Sequence, residues 1–378
     1  MDPVAPGSRP PRGLPRVTID TGRRWAGDPV SPREAAPVRR TPLRPSTARL
    51  RPAVALAAAA LAFVSALTGV EALTAGPAGA AGAGAPGPDL RPTRAQVLEA
   101  LDCTGDLTRG RAPVLLLHGT TSSAEANWSW NWDRALDARD RAHCDLQSPD
   151  SANADIQVNG EYVVRAIRLM HRRAGRDISI VGHSQGGMVG RWALKYWPDT
   201  RGMVDDYVGL SSSHHGTEVF GAVCETLGRC TPANWQQLAG SDFLTALNRG
   251  RETYDRVDYT AISTRYDEVV VPSTSAHLAP GSNVTNVAVQ DLCPTEVVDH
   301  FGMAYDNAAW LIGLDALEHR GPARLDRVPT ATCGQPLMPD VDPVTFPAEV
   351  AAALAQTARS SATSPMVTAE PPLAPYAR

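Results

Sequence analysis

The chain has 378 residues, 43% hydrophobic and 20% charged, an ordinary composition for a globular protein with room for one large domain or two small ones. Its net charge of −4 conceals an asymmetry: residues 1–52 hold eleven arginines and four acidic residues, so this stretch carries +7 and the remainder −11. A body this acidic argues against binding to nucleic acid or to anionic surfaces.

The first 92 residues precede the expected folded domain, residues 93–378. Residues 1–52 are rich in Arg and Pro and almost without apolar periodicity, which predicts a disordered extension. Residues 53–80 combine an apolar, uncharged stretch over 53–70 with Ala78-Gly79-Ala80, the pattern of a signal peptide with its cleavage site. The alternative for 53–70 is an uncleaved membrane anchor of marginal length. Residues 81–92 are rich in Gly, Ala and Pro and predict a linker.

The six cysteines are even in number and widely spaced. None belongs to a Cys-x-x-Cys pair of the kind that binds metal or exchanges disulfides, so disulfide bonds are expected if the chain is exported. They are Cys103, Cys144, Cys224, Cys230, Cys293 and Cys333.

The first clear elements of the domain are a strand and a helix. Pro113–Gly119 is an apolar run that ends in glycine and is followed by Thr and Ser residues, which predicts a buried strand and a loop. Three tryptophans at 128, 130 and 132 come next and are more typical of a core than of a substrate surface. Residues 155–174 carry apolar side chains at helical spacing.

The most informative stretch runs from Asp177 to Gly190. A β-branched apolar run leads into Gly182-His183-Ser184-Gln185-Gly186, and apolar residues at helical spacing follow. A strand, a Gly-x-Ser-x-Gly turn and a helix form the nucleophile elbow of an α/β-hydrolase, and the helix directs its N-terminal N–H groups at an oxyanion. The motif therefore predicts Ser184 as the nucleophile, and the loop after the first strand places Thr120 as an oxyanion donor.

Several elements are expected after the elbow. Strands are predicted at 207–210, 258–263 and 283–289, and helices at about 301–318 and 347–358. Residues 218–240 show no clear long element; they are interpreted as a lid held by a disulfide of its own, between Cys224 and Cys230.

A serine nucleophile needs a histidine base and an acid, which follow it in the order acid, then histidine, in α/β-hydrolases. Of nine histidines, His300 follows a strand and immediately precedes a helix, and is preferred over His277 and His319. Asp267 lies just past a strand end and is the preferred acid. Asp291 is the second candidate, and Asp299 is better explained as a helix N-cap.

From about Cys103 to Arg378 the chain resembles the lipase B family of Candida antarctica and its bacterial relatives. The resemblance rests on Gln157-Val-Asn-Gly-Glu-Tyr162, Ser184-Gln-Gly-Gly187, Trp235-Gln-Gln237, Tyr266-Asp-Glu268, Val298-Asp-His300 and Pro375-Tyr-Ala-Arg378. It implies Ser184, Asp267 and His300 as the triad and Thr120 with Gln185 as the oxyanion hole.

The resemblance also implies disulfides between Cys103 and Cys144 and between Cys293 and Cys333, whereas Cys224–Cys230 is an addition. The family's third disulfide is absent. His183 stands where the fungal enzyme has a Trp that shapes its alcohol pocket, and His118 replaces a Pro, so the substrate preference does not transfer with the activity.

The substrate pocket is expected to include His183, Thr217, Gln237 and Val269. Val350, Ala351, Leu354 and Ala355 are apolar at helical spacing, and form either a channel wall or ordinary core. An apolar channel favours aliphatic esters, since each buried CH₂ contributes up to about 0.8 kcal/mol.

The sequence thus predicts an α/β-hydrolase fold with a mostly parallel sheet flanked by helices and a small lid segment. The expected function is that of a secreted serine esterase, a lipase, that works as a monomer without cofactor or metal. Its expected partners are a lipid or ester substrate and, transiently, a lipid interface, but no nucleic acid. The alternatives are an acyltransferase that uses the same acyl-enzyme and a non-catalytic secreted binding module on the same scaffold.

Overall fold

The structure is a computed structural model and describes residues 84–378. The predicted extension at 1–52, the predicted signal peptide at 53–80 and the first residues of the linker lie outside the described residues. Within 84–378, every helix falls short of the length and apolarity that crossing a membrane requires.

A single seven-stranded sheet forms the centre of the described chain, in the order β1-β3-β2-β4-β5-β6-β7. β1 runs antiparallel to β3, and the other neighbouring strands are parallel. The predicted mostly parallel sheet flanked by helices is therefore confirmed. The strands are β1 (Leu101–Thr104), β2 (Val114–Leu117), β3 (His143–Leu146), β4 (Ile178–His183), β5 (Val204–Leu210), β6 (Asp258–Ser263) and β7 (Val284–Ala288).

The helices connect the strands and cover both faces of the sheet, as parallel strands require. They are α1 (Arg94–Ala100), α2 (Ala124–Trp128), α3 (Trp132–Asp137), α4 (Ile156–Ala174), α5 (Gln185–Tyr196), α6 (Glu218–Leu227), α7 (Pro232–Gln236), α8 (Asp242–Asn248), α9 (Val289–Leu292), α10 (Asn307–Glu318) and α11 (Phe346–Thr363).

The central strands are mostly apolar because both faces of the sheet are buried. Successive side chains of a strand point to opposite faces, so Leu115 and Leu117 of β2 join one hydrophobic cluster while Val114 and Leu116 join the other. The second cluster contains the three tryptophans at 128, 130 and 132, each at most 2% exposed. Their predicted place in the core is confirmed.

Helix α4 shows how local sequence sets its bounds. Asp155 caps its N-terminus by accepting from the backbone N–H of Gln157, and Gly175 ends it in the left-handed conformation at φ 68°. The apolar residues of α4 join the core on one side of the sheet. The helix spans Ile156–Ala174, so the predicted helix at 155–174 agrees with the structure to within one residue.

Two parts of the fold differ from the prediction. β1, at the edge of the sheet, and its neighbour β3 were not predicted, because each is four residues long and alternates polar with apolar side chains. The lid segment, residues 218–240, was expected to lack a clear element but contains α6 and α7. Thr217 caps α6, and Gly228 ends it in the left-handed conformation. The glycines at 221 and 228 mask its apolar pattern.

Three disulfides connect the six cysteines. Cys103–Cys144 joins the neighbouring strands β1 and β3, Cys224–Cys230 lies within the lid segment, and Cys293–Cys333 fastens the chain before and after α10. Cys230 also pairs through its backbone with Val367 in the segment that follows α11. The lid segment is thereby tied to the C-terminal part of the chain.

Candidate active site

Ser184 lies on the turn between β4 and α5, at the centre of the sheet. Its backbone adopts φ 56° and ψ −124°, a conformation that L residues rarely adopt and that is typical of a functional constraint. The glycines of the motif are required by close approach: a Cβ at Gly186 would lie 2.0 Å from the Leu117 carbonyl oxygen, and one at Gly182 would lie 2.4 Å from the backbone of Gly186. The two glycines thus allow a turn tight enough to present Ser184 directly after the C-terminal end of β4.

Asp267 and His300 form a buried hydrogen-bonded pair. Asp267 Oδ1 lies 2.9 Å from His300 Nδ1 and also accepts the backbone N–H groups of Val269 and Val270, at 3.0 and 2.7 Å. Burial opposes ionisation of Asp267, but the hydrogen bonds from His300 and Val270 outweigh it and lower the pKa of the carboxyl. A carboxylate at this position selects the His300 tautomer protonated on Nδ1, which leaves Nε2 free to accept a proton.

The other candidate acids lie in structural contacts. Asp291 forms an exposed ion pair with Arg265 and accepts the backbone N–H of Ala288 at 2.8 Å. Asp299 accepts the backbone N–H of Gly302 at 2.6 Å, but its interpretation as a helix N-cap is wrong: α10 begins at Asn307, and its N-cap is Asp306.

The other candidate histidines are likewise engaged elsewhere. His277 Nε2 lies 3.3 Å from the Ser263 hydroxyl, and His319 Nδ1 lies 3.1 Å from Asp315. Neither residue lines the cavity that contains Ser184.

The backbone N–H groups of Thr120 and Gln185 donate no hydrogen bond within residues 84–378. Gln185 is the first residue of α5, where a helix leaves its N–H groups unpaired. Both side chains are also linked: Gln185 Nε2 lies 2.9 Å from Thr120 Oγ1. These groups are the structural counterpart of the predicted oxyanion hole.

His118 holds the loop that carries Thr120. Its Nε2 accepts the backbone N–H of Ser148 at 3.0 Å, and its Nδ1 lies 2.8 Å from the Gly119 carbonyl, which only accepts. The two contacts fix a neutral ring protonated on Nδ1. Burial lowers the pKa of His118 to about 4, so this ring remains neutral near pH 7.

His183, the residue before Ser184 in the elbow, contacts the backbone of His300. Its Nε2 lies 2.9 Å from the His300 carbonyl and its Nδ1 lies 3.2 Å from Asn127 Oδ1. Burial and then the neighbouring His300 lower the pKa of His183 to about 3, so the ring is neutral near pH 7. The neutral ring donates from Nε2 to the closer acceptor and thereby supports the backbone of His300.

A cavity of about 360 Å³ opens at Ser184 and His300. Its lining includes apolar residues, Phe220, Val269, Phe301 and Leu354, and polar ones, among them Thr120, Thr121, Ser122, Asn127 and His183. Within residues 84–378 no group of three or more His, Cys, Asp or Glu side chains is arranged to hold a metal ion.

The predicted pocket residues divide into two sets. His183 and Val269 line the cavity, whereas Thr217 and Gln237 do not. Thr217 Oγ1 donates to the Val269 carbonyl at 2.5 Å, and Gln237 Nε2 lies 3.0 Å from Thr120 Oγ1. Both residues are therefore one layer behind the wall, because their side chains are used to hold the residues that form it.

The prediction for the α11 face, channel wall or core, holds for two of its four residues. Of its four apolar residues only Leu354 lines the cavity; Val350 packs against the core, and Ala351 and Ala355 are exposed. α11 instead adds Thr357 and Ser361 to the wall. Helical spacing identified an apolar face but not which part of it meets the cavity.

Several further wall residues were not predicted from the sequence, Ser122, Asn127, Phe220 and Phe301 among them. Ser122 and Asn127 follow Thr120 in the chain, so the oxyanion loop offered a signal for them. Phe220 and Phe301 are brought in by α6 and by the turn before α10, and no motif marks either one.

Comparisons with known proteins agree with this geometry. A model of the PGAP1-like alpha/beta domain matches residues 145–305. Lipase B of Pseudozyma antarctica is 31% identical over 272 residues, which cover 70% of this chain and 79% of that protein. The crystal structure of Aspergillus fumigatus lipase B is 29% identical with a TM-score of 0.72, over 79% of this chain and 76% of that one. The chain belongs to the lipase B family of α/β-hydrolases, which are carboxylic-ester hydrolases.

Proposed function

We propose that this chain is a secreted serine lipase that hydrolyses lipid or aliphatic esters through an acyl-enzyme on Ser184. The observation that carries the proposal is the buried Asp267–His300 pair at a cavity that also contains Ser184, the serine of the Gly-x-Ser-x-Gly motif, in a strained backbone conformation. Secretion is supported by the three disulfides, because such bonds persist in oxidising compartments. The activity stated in the names of the two lipase B relatives supports the substrate class.

In the proposed mechanism, Ser184 Oγ attacks the ester carbonyl carbon while His300 Nε2 accepts the hydroxyl proton. The negative charge that develops on the carbonyl oxygen is stabilised by the N–H groups of Thr120 and Gln185. Collapse of the tetrahedral intermediate breaks the bond to the alcohol oxygen, which takes the proton from His300. Water then repeats the sequence on the acyl-enzyme and releases the acid. Asp267 stabilises the imidazolium formed in each half of the cycle.

The apolar lining of the cavity suggests which part of the substrate it takes. The side chains of Phe220, Val269 and Leu354 suit an acyl chain, since its burial removes CH₂ groups from water. Val223 and Leu227 of α6 are 43% and 57% exposed, and Leu354 is 53% exposed. These side chains form an apolar rim for transient contact with a lipid interface by a monomeric enzyme.

The proposal is tested by labelling and by a chain-length series. Ser184→Ala should abolish labelling by an organophosphate and lower kcat on p-nitrophenyl esters by several powers of ten. Ser179→Ala is the matched control: it removes a buried serine hydroxyl from the same strand, where Oγ donates to Asp206 at 3.0 Å, and should leave labelling intact. Near-normal hydrolysis by a folded Ser184→Ala variant would contradict the proposal.

A further inference from the structure

We propose that the side-chain amides of Gln237 and Gln185 are positioning elements that fix the Thr120 hydroxyl with its proton directed at the substrate oxyanion. The inference rests on the proposed function and extends it. It assigns a role to Gln237, which does not line the cavity, and a second role to Gln185 beside that of its backbone N–H.

The orientation of the Gln237 amide is determined by its surroundings. Its Nε2 lies 3.1 Å from the Ala233 carbonyl oxygen, which can only accept, so the NH₂ group must be on this side. Its Oε1 accepts the Ser213 hydroxyl at 2.8 Å on the other side. The same NH₂ group lies 3.0 Å from Thr120 Oγ1 and donates to it.

The orientation of the Gln185 amide follows from the same reasoning. Its Nε2 lies 2.8 Å from the Ala152 carbonyl oxygen, and its Oε1 accepts Asn159 Nδ2 at 3.1 Å. The NH₂ group is therefore the group that lies 2.9 Å from Thr120 Oγ1. Two independently oriented donors thus converge on one hydroxyl oxygen.

A threonine hydroxyl has two acceptor positions and one proton to donate. Because both acceptor positions of Thr120 are occupied by amide N–H groups, its own proton has to point elsewhere. No acceptor within residues 84–378 takes that proton, and Thr120 lines the cavity beside Ser184. The ester oxygen on which charge develops is the acceptor available to it there.

The burial of the two amides makes this arrangement rigid. Gln185 and Gln237 are each 1% exposed, so water does not compete for their N–H groups. The Gln237 backbone is held as well, since its carbonyl accepts the N–H of Thr217 at 2.9 Å. Donors held in place before the reaction stabilise charge without reorganisation during it, which is the condition for effective oxyanion stabilisation.

The test is a double-mutant cycle between Gln237 and Thr120, read as kcat per active site titrated with an organophosphate. Thr120→Val removes the hydroxyl and should lower kcat by about 10²- to 10³-fold with little change in KM. Gln237→Met removes one amide and should lower kcat by roughly tenfold in the Thr120 background. In the Thr120→Val background it should change kcat by less than about twofold, because no hydroxyl remains to be oriented.

Gln237→Glu is a sharper variant because it keeps the shape and exchanges the donor for an acceptor. The carboxylate would accept a hydrogen bond from the Thr120 hydroxyl and direct its proton away from the substrate. We therefore expect kcat to fall about as far as in Thr120→Val. Most of this loss should disappear in the Thr120→Val background. Gln236→Met is the control: this buried amide bonds Asp155 and the Ile156 N–H and does not contact Thr120. Its effect on kcat per titrated site should be small and equal in both backgrounds.

An equal loss from Gln237→Met in the two backgrounds would overturn the inference and assign Gln237 a structural role. Full kcat in Thr120→Val would overturn it as well. Failure of the proposed function would look different, because an organophosphate would then leave Ser184 unlabelled in the parent enzyme.

Discussion

Substitution of Asp267 by Asn is the most informative perturbation of the proposed triad. Backbone N–H groups of Val269 and Val270 bind Asp267 Oδ1, so the amide oxygen of an asparagine has to take that position. Its NH₂ group then replaces Oδ2, which lies 3.1 Å from His300 Nδ1. The fold is kept, but the charge opposite His300 is lost and a donor faces its ring.

The size of the effect follows from the geometry. A carboxylate 2.9 Å from the imidazolium contributes on the order of 5 kcal/mol at an effective dielectric constant of about 20. Its loss should lower kcat by roughly four powers of ten. The NH₂ group acts in the same direction, because it stabilises the tautomer protonated on Nε2, which cannot accept the proton of Ser184.

The assay is hydrolysis of a p-nitrophenyl ester, with folding checked by circular dichroism. Asp291→Asn is the matched control, since it removes the same charge from the second candidate acid, and should change kcat by less than about twofold. The reasoning is refuted if Asp267→Asn retains activity within about tenfold of the parent, or if Asp291→Asn shows the large loss instead.

Two further predictions concern stability and selectivity. Burial and the neighbouring Asp133 raise the pKa of Asp145 to about 9. Between about pH 4 and pH 9 the folded state therefore keeps a proton that the unfolded state has released. The free energy of unfolding should fall as pH rises through this range, by up to about 1.4 kcal/mol per pH unit. Asp145→Asn should remove this pH-dependent loss of stability. The measurement is the free energy of unfolding by denaturant from pH 5 to 8, and the same pH dependence in both proteins would contradict the prediction. His183→Trp should raise enantioselectivity toward a small aryl secondary alcohol by about tenfold. This is the low end of the discrimination that one added methylene contact gives in an apolar pocket. A parent enzyme already as selective as the variant in a kinetic resolution would show that position 183 does not shape the alcohol pocket.

Local sequence determined the part of the protein around Ser184. A strand, a glycine-bounded serine and a helix follow each other within fourteen residues of the chain, Asp177 to Gly190. The physical requirement for each of them is local, so no long-range information was needed. The same holds for the buried strand β2, whose continuous apolar run reflects burial on both faces, and for the apolar parts of β5 and β6.

The chain order and the resemblance to a known family added Asp267 and His300, which the structure brings together from loops 33 residues apart. By contrast, the edge strand β1 and its neighbour β3 were missed. Four-residue strands with alternating polarity carry too little periodicity to be recognised, and they are defined by pairing with each other, by the pairing of β3 with β2 and by the Cys103–Cys144 bond.

Only the tertiary structure decided which side chains form the cavity and which stand behind it. Thr217 and Gln237 have residue types suited to a pocket, but their hydrogen bonds are directed at Val269 and Thr120. Phe220 reaches the cavity because α6 lies over it. A sequence specifies what a side chain can donate or accept, but the partner that it meets depends on elements distant in the chain. The hydrogen bond between Gln237 and Thr120, 117 residues apart, exists only in the folded state.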